Sequence, residues 1–493
     1  QELLSYDLFI YEKEHDLKAA AFYPHDLYPL TTNDGLQSEL PKLVEVSPFH
    51  TEHDYRNYVA RLNAVPRYVA GIQAQLDYGI AHGWTAPRVV VEDMPRQLRE
   101  LAQQLEASTL GKPLREMPAQ FSAANKARYR QQIQQALQQK VKPALERIAA
   151  YMEKTYVPAS RTSIAVSDLP AGPAYYAFLV ESATTTKMTP DEIHQLGLQE
   201  VARIHQQMQQ VMTQTGFSGT MAEFFKKLNT DPQFFYTEPK DLLAGYRDIM
   251  AKAHAQLPRF FNHLPKGKVD VKPVPELGAE KQGGAYYEGG SADGSRIGYF
   301  VVNTSRLEIR PKWEMATLTM HEAEPGHHLQ TAIAQELKGI PEFRRFGWYT
   351  AFGEGWALYA EKIGREMGFY EDPYALAGHL NDELFRAARL VVDTGMHAKG
   401  WTRQQAIDYM NQNTASPAAD NIVEIDRYIA WPAQALSYKI GELKIMQLRQ
   451  QAQAALGDQF DIRQFHDAVL ANGGLPLPMV EQQVLQWQQT IKK

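Results

Sequence analysis

The sequence predicts a mainly α protein in which two helical regions line a deep cleft, with one small β-sheet beside them. Three observations carry this reading. Apolar residues recur at three-to-four spacing over most of the 493 residues. Alternating and β-branched residues are confined to SRIGYFVVNT at 295–304. Residues 264–292 are rich in Pro and Gly and lack periodicity, which predicts a loop or linker. The expected organisation is therefore an N-terminal helical region over 1–263, the linker, and a second helical region over 293–493, the whole allowed to form one continuous unit.

Each element has its own justification. From Ser122 to about Tyr151, Tyr129, Ile133, Ala136, Leu137, Val141 and Leu145 form an apolar stripe that predicts one long helix, kinked at Pro143. Thr189-Pro190-Asp191-Glu192 is a helix start, with a hydroxyl cap, Pro at the first helical position and two acids in the first turn; that helix should end near Thr215-Gly216. The 295–304 segment reads as the one substantial strand. Helices then follow over about 311–334, 348–367, 374–399, 402–413 and 423–455, with one more near the C-terminus.

Composition excludes several classes of function. Lys and Arg total 51 against 57 Asp and Glu, a formal charge of −6 without long blocks of one sign, so the footprint of a nucleic-acid binder is missing. No apolar run approaches the ~18–20 residues of a membrane span. The chain has no cysteine, so any metal must be held by His and carboxylates. The first residues carry no leader-like segment and no start Met, which suits a mature exported chain, in the periplasm or envelope, as well as one trimmed of its beginning.

The decisive segment is His321-Glu322-Ala-Glu-Pro325-Gly326-His327-His328. In the zincin pattern two His lie four apart on one helix and share a Zn²⁺, while the Glu beside the first activates the metal-bound water. Here Pro325 occupies the second His position. In an unbroken helix His327 would sit ~240° around and ~9 Å along from His321, and His328 would regain the right face but lie ~10.5 Å away. Pro325 cannot donate its N–H to residue 321 and Gly326 permits unusual torsions, so the pair predicts a two-residue bulge that carries His327 back to the metal and leaves His328 outside it. Downstream, Glu354, Leu358 and Glu361 share one helix face, and a helix hairpin would return Glu354 as third ligand. Glu361, two turns on, is expected to support the site from behind. The reading is one Zn²⁺ per chain on His321, His327 and Glu354, with Glu322 as general base. An oxyanion donor is also needed, and Tyr428, Tyr438 and His397 are available, with Asp393 four residues before His397 to orient it. Lys439 and Arg310 are possible anchors for a peptide carboxylate.

HEAEPGHHLQ, EGWALYAE, DTGMHAKGWT at 393–402 and DRYIAWPAQALSYKIGELKI at 426–445 together resemble the bacterial family DUF885, grouped with zincin-type metallopeptidases and regarded as related to the helical peptidases of the angiotensin-converting-enzyme and thimet-oligopeptidase kind. That resemblance implies a zincin-like catalytic core. It implies that Glu354 and Glu361 match the first and last Glu of a ligand helix, and that Arg427-Tyr428 resembles an Arg-Tyr pair whose hydroxyl stabilises the tetrahedral intermediate.

The expected activity is zinc-dependent hydrolysis of short unstructured peptides, as an oligopeptidase or exopeptidase. If 298–303 is an exposed edge strand, Tyr299, Val301 and Asn303 would pair with the peptide backbone, with Arg427, Tyr438 and Lys439 as further contacts. A hydrolase of non-peptide amides and a non-catalytic helical binder with a degenerate motif are the competing readings, and the sequence leaves the oligomeric state open.

Overall fold

Capping residues set where the helices begin. Thr189 accepts from the Glu192 N–H and the Glu192 carboxylate answers the Thr189 N–H, opening α1 (Pro190–Gln214) where the sequence places it. The computed structural model describes residues 1–22, 28–45, 47–274 and 283–492. The chain divides into one unit of residues 19–173 and another of residues 1–18 with 174–493. The division expected at 263/293 is therefore corrected: residues 174–263 belong with the second half, because α1 buries its apolar stripe along the helix Pro373–Ala398.

In the 19–173 unit, the helix Glu52–His82 presents Tyr58, Leu62, Val65, Val69, Ile72 and Leu76 along one face. That face packs on the Ala123–Ala136 helix and the segment that follows it. The kink expected at Pro143 is absorbed upstream by a π-type turn over Leu137–Val141, which bypasses the N–H that proline lacks.

The larger unit contains α2 (Pro239–Gln256), α3 (Met315–Glu322), α4 (His327–Glu336), α5 (Thr350–Glu366), α6 (Pro373–Ala398), α7 (Ala418–Ala430), α8 (Ser437–Leu456) and α9 (Ile462–Leu470). Trp356, Tyr359 and Ile363 of α5, Ile445 and Leu448 of α8, and Phe465 and Val469 of α9 are sealed in its main core. Helices α5 and α8 cross in close contact at Gly355 and Gly441: a Cβ on Gly355 would lie 2.5 Å from the Gly441 backbone. The single helix expected over 423–455 is two, because Pro432 has no N–H to continue the helix and Ala433 turns at φ 69°. The Ala433 N–H is taken by the Asp393 carboxylate at 3.1 Å.

The sheet has three strands in the order β1 (Val269–Pro273), β3 (Gly298–Val302), β2 (Ala285–Glu288), with β1–β3 parallel and β2–β3 antiparallel. Two expectations are corrected here. The 264–292 segment contains two strands, although its residues 275–282 lie outside those described. The SRIGYFVVNT strand is the central one, so it has no free edge, and backbone pairing of a peptide with Tyr299, Val301 and Asn303 is ruled out. Val301 and Asn303 are fully buried, and Tyr299 lies under the Lys272 ammonium at 4.2 Å. Among the described residues no helix is long and apolar enough to cross a membrane.

Candidate metal centre

The site begins where α3 stops. Ala323 leaves helical geometry at φ −103°, ψ −106°, the Glu324–Pro325 peptide is cis, Gly326 sits at φ −77°, ψ −130°, and α4 starts at His327. The continuous helix with a bulge expected over 311–334 is thus two helices with a break. The break brings the His321 and His327 imidazoles together. The imidazole centroids of His321 and His327 are 4.8 Å apart with their planes at 89°. Gly326 is required by close approach, since a Cβ there would lie 1.9 Å from the His321 carbonyl oxygen. Trp356, buried on α5, donates its indole N–H to the Pro325 carbonyl at 2.8 Å and ties the break to the helix that carries Glu354. Glu324 is buried in the same turn and meets His254 Nδ1 at 2.8 Å.

His321, His327 and Glu354 bring one ligand atom each to within 4.8 Å of one another. Glu354 Oε2 lies 3.3 Å from His327 Nε2 and 3.6 Å from His321 Nε2. Tetrahedral zinc with bonds of about 2.0–2.1 Å needs ligand atoms about 3.3–3.5 Å apart, and the two Glu354 separations lie within about 0.1 Å of that range. Glu354 Oε2 is buried and accepts no hydrogen bond. A buried carboxylate oxygen between two imidazole nitrogens fits a cation as its missing partner.

The surroundings fix which nitrogen faces the cluster. His321 Nδ1 meets Glu361 Oε1 at 2.7 Å, which leaves Nε2 pointing to Glu354 and His327. Burial alone would lower the His321 pKa, but the neighbouring Glu354 and Glu361 carboxylates outweigh that and hold it well above the ordinary value. Burial and the neighbouring Asp382 push the Glu361 carboxyl up to about 8. Burial would also raise Glu354, yet His327 and His321 hold it well below the carboxylate range. Behind Glu361 stands His379, its Nδ1 4.0 Å from Glu361 Oε2 and its ring stacked on Tyr370 at 4.5 Å. Glu322 follows His321 on α3 and is 9% exposed. Trp348, half exposed, tilts over the His327 ring at 5.9 Å.

Other residues singled out from the sequence lie elsewhere. His328 turns away from the cluster, its Nδ1 3.0 Å from the Tyr287 hydroxyl and its Nε2 3.1 Å from the Gly267 carbonyl. Tyr428 is buried, its hydroxyl accepting from Arg389 Nε at 2.6 Å and donating to the Glu424 carboxylate, so it offers no free donor to an oxyanion. His397 is fully buried and its Nε2 donates to the Tyr428 carbonyl at 3.0 Å, so the same correction applies. The Asp393 oxygens hold the Ala433 N–H and the Tyr176 hydroxyl, the latter at 2.6 Å, and burial pushes this carboxyl up to about 7. Lys439 is not a substrate anchor: it is wholly buried and bonded to Glu442 at 2.6 Å, Glu383 at 2.8 Å and Glu200 at 3.1 Å. Tyr438 and Arg427 stand together, with Arg427 donating to the Tyr438 hydroxyl at 3.5 Å. Arg310 donates to its neighbour Ile309's carbonyl at 3.2 Å.

Trp356, His379, Asp382, Arg386 and Arg389 are the residues the sequence reading missed. A signal existed. His379, Asp382, Arg386, Arg389, Asp393 and His397 recur three or four apart along α6, a polar stripe on a helix whose other buried positions are mainly apolar.

The fold and site together define a mainly helical protein with a small sheet and a buried His-His-Glu cluster held behind by Glu361. The chain belongs to the family described as bacterial protein of unknown function (DUF885), whose pattern matches residues 1–484. Among solved structures it is similar to a candidate lipoprotein from Colwellia psychrerythraea, at 34% identity and TM-score 0.90, covering 94% of this chain and 81% of that one. A candidate lipoprotein of unknown function from Shewanella oneidensis shares the fold at 18% identity and TM-score 0.68, covering 92% and 82% of the two chains. No curated protein matches the chain.

Proposed function

We propose that this chain is a zinc-dependent metallopeptidase of the cell envelope that hydrolyses short, unstructured peptides. The observation that carries the reading is the convergence of His321 Nε2, His327 Nε2 and an otherwise unbonded Glu354 Oε2 at separations suited to tetrahedral zinc. The motif resemblance to zincin-type helical peptidases supports peptides as the substrate class, and the description of the two similar structures as candidate lipoproteins supports the envelope.

A zinc ion in such a site supplies polarisation of a carbonyl and acidification of a water. The protein's own residues do the rest. Glu322 accepts the proton of the attacking water and returns it to the leaving amine nitrogen as the C–N bond breaks. Glu361 holds the Nδ1 proton of His321, so that the imidazole keeps Nε2 directed at the cluster without reorganising during turnover. Elemental analysis of the purified protein should give one transition metal per chain, and a mixed peptide library should be cleaved in a chelator-sensitive manner. Glu322→Gln should keep the metal and lose several orders of magnitude in turnover. A protein free of stoichiometric metal, or a Glu322→Gln variant of unchanged turnover, would end the proposal.

A further inference from the structure

Beside the His-His-Glu cluster, α6 and α7 carry guanidinium groups that outnumber the carboxylates within ion-pair distance. Arg386 meets Asp382 only at 3.7 Å, Arg389 meets Glu424 at 3.1 Å, and Arg427 meets the same Glu424 at 3.5 Å. Three cations thus share two carboxylates within ion-pair distance, with Glu361 and Glu314 acting on Arg386 from farther off. Arg386 Nε, Arg389 Nη1 and Arg427 Nε are each buried without an acceptor, and the Arg389 side chain is only 2% exposed. Leaving such donors unmet forfeits the hydration they would have in water, and more so for charged groups. The Tyr438 ring lies against two of these cations, 4.2 Å from Arg389 and 5.2 Å from Arg386, which fixes their planes. Arg386 and Arg427 keep some solvent access, at 14% and 26%. Planar, preoriented guanidinium groups with free N–H donors match a carboxylate in two-point fashion.

From the excess of buried, acceptor-poor guanidinium groups at Arg386, Arg389 and Arg427 around Tyr438, we propose that this cluster binds the free C-terminal carboxylate of the peptide substrate. The inference rests on the metallopeptidase reading and adds a cleavage mode to it. Arg386 lies seven residues along α6 from His379, whose Nδ1 approaches Glu361 behind the metal cluster. The enzyme therefore cleaves near the C-terminal end of its substrate, and Arg386 and Arg427 act as the specificity determinants.

The test compares the zinc-loaded protein on acetyl-tetraalanine with its C-terminal amide. The acid should show a KM about 10–100-fold below the amide's, the effect of a charge-assisted bidentate contact. Arg386→Gln should erase that preference, and Arg386→Lys should restore part of it. Binding to the zinc-free protein is measured separately by calorimetry, with alanyl-alanine against alanyl-alanine amide. A preference for the acid, lost in Arg386→Gln, supports the anion site even if no peptide is cleaved. Equal binding of acid and amide, or binding of neither, overturns it. If Arg386→Gln does not fold, the comparison of acid with amide on the unaltered protein still decides.

Discussion

A single methyl group at the α5–α8 crossing should loosen the metal centre without touching a ligand. In Gly355→Ala the new Cβ would lie 2.5 Å from both Gly441 Cα and the Gly441 carbonyl carbon, and 2.9 Å from Glu442 N. Carbon–carbon contact is comfortable only from about 3.5 Å, and all three obstacles are backbone, so the helices must part by about 1 Å. Alanine gains ~1 kcal/mol of helix propensity over glycine, while overpacking costs ~1–3 kcal/mol, so the net loss of stability is at most about 2 kcal/mol. The effect on zinc is larger in proportion. Glu354 precedes the substituted residue, α8 is anchored through Lys439 to Glu200 and Glu383, and coordination bonds tolerate only about 0.2 Å. Zinc affinity should therefore fall about 10–100-fold, the range seen when ligand support is disturbed. Competition with a chromophoric chelator measures the affinity, and calorimetric unfolding of the metal-free protein measures the stability. If stability falls while zinc affinity holds within about twofold, α8 yields rather than α5, and this account of how Glu354 is placed is wrong.

Three further outcomes follow from the site and its frame. His327→Ala should abolish zinc binding and His328→Ala should leave it intact; the reverse result in the same chelator titration would mean that the break at 323–326 does not deliver His327. Trp356→Phe removes the indole donor to the Pro325 carbonyl, and about tenfold weaker zinc binding is expected with little loss of helix content by circular dichroism. The third concerns acid. Burial lowers His466 to about 3, and it sits neutral between the Tyr359 hydroxyl and the Phe260 carbonyl. Its folded pKa is depressed below the ordinary ~6.5, so its contribution is complete above that pH and is lost as pH falls toward 3. At pH 5 the loss is roughly 2 kcal/mol. Urea unfolding at pH 7 and pH 5 should show that acid penalty in the unaltered protein and a smaller one in His466→Gln; equal penalties would refute the assignment.

The sequence by itself determined most of the helices, the residue types of the His-His-Glu cluster and the exclusion of cysteine-held metal. Caps, periodicity and composition are local properties, so Thr189 as a cap and Ser295–Thr304 as a strand could be read without a partner. The spacing of His321, Pro325 and His327 also demanded an interruption of the helix, because no regular helix unites those two imidazoles. Only the tertiary structure decided which strand had an edge, for β1 and β2 flank β3 from a segment that reads as loop on composition alone. It likewise decided which polar residues were already engaged. Tyr428 and His397 look free in sequence, yet Arg389 and the Tyr428 carbonyl take them up across 39 and 31 residues respectively. A hydrogen-bond partner that distant leaves no local trace. The same reason hid Trp356, which reaches 31 residues back to hold the turn at Pro325 that makes His327 a neighbour of His321.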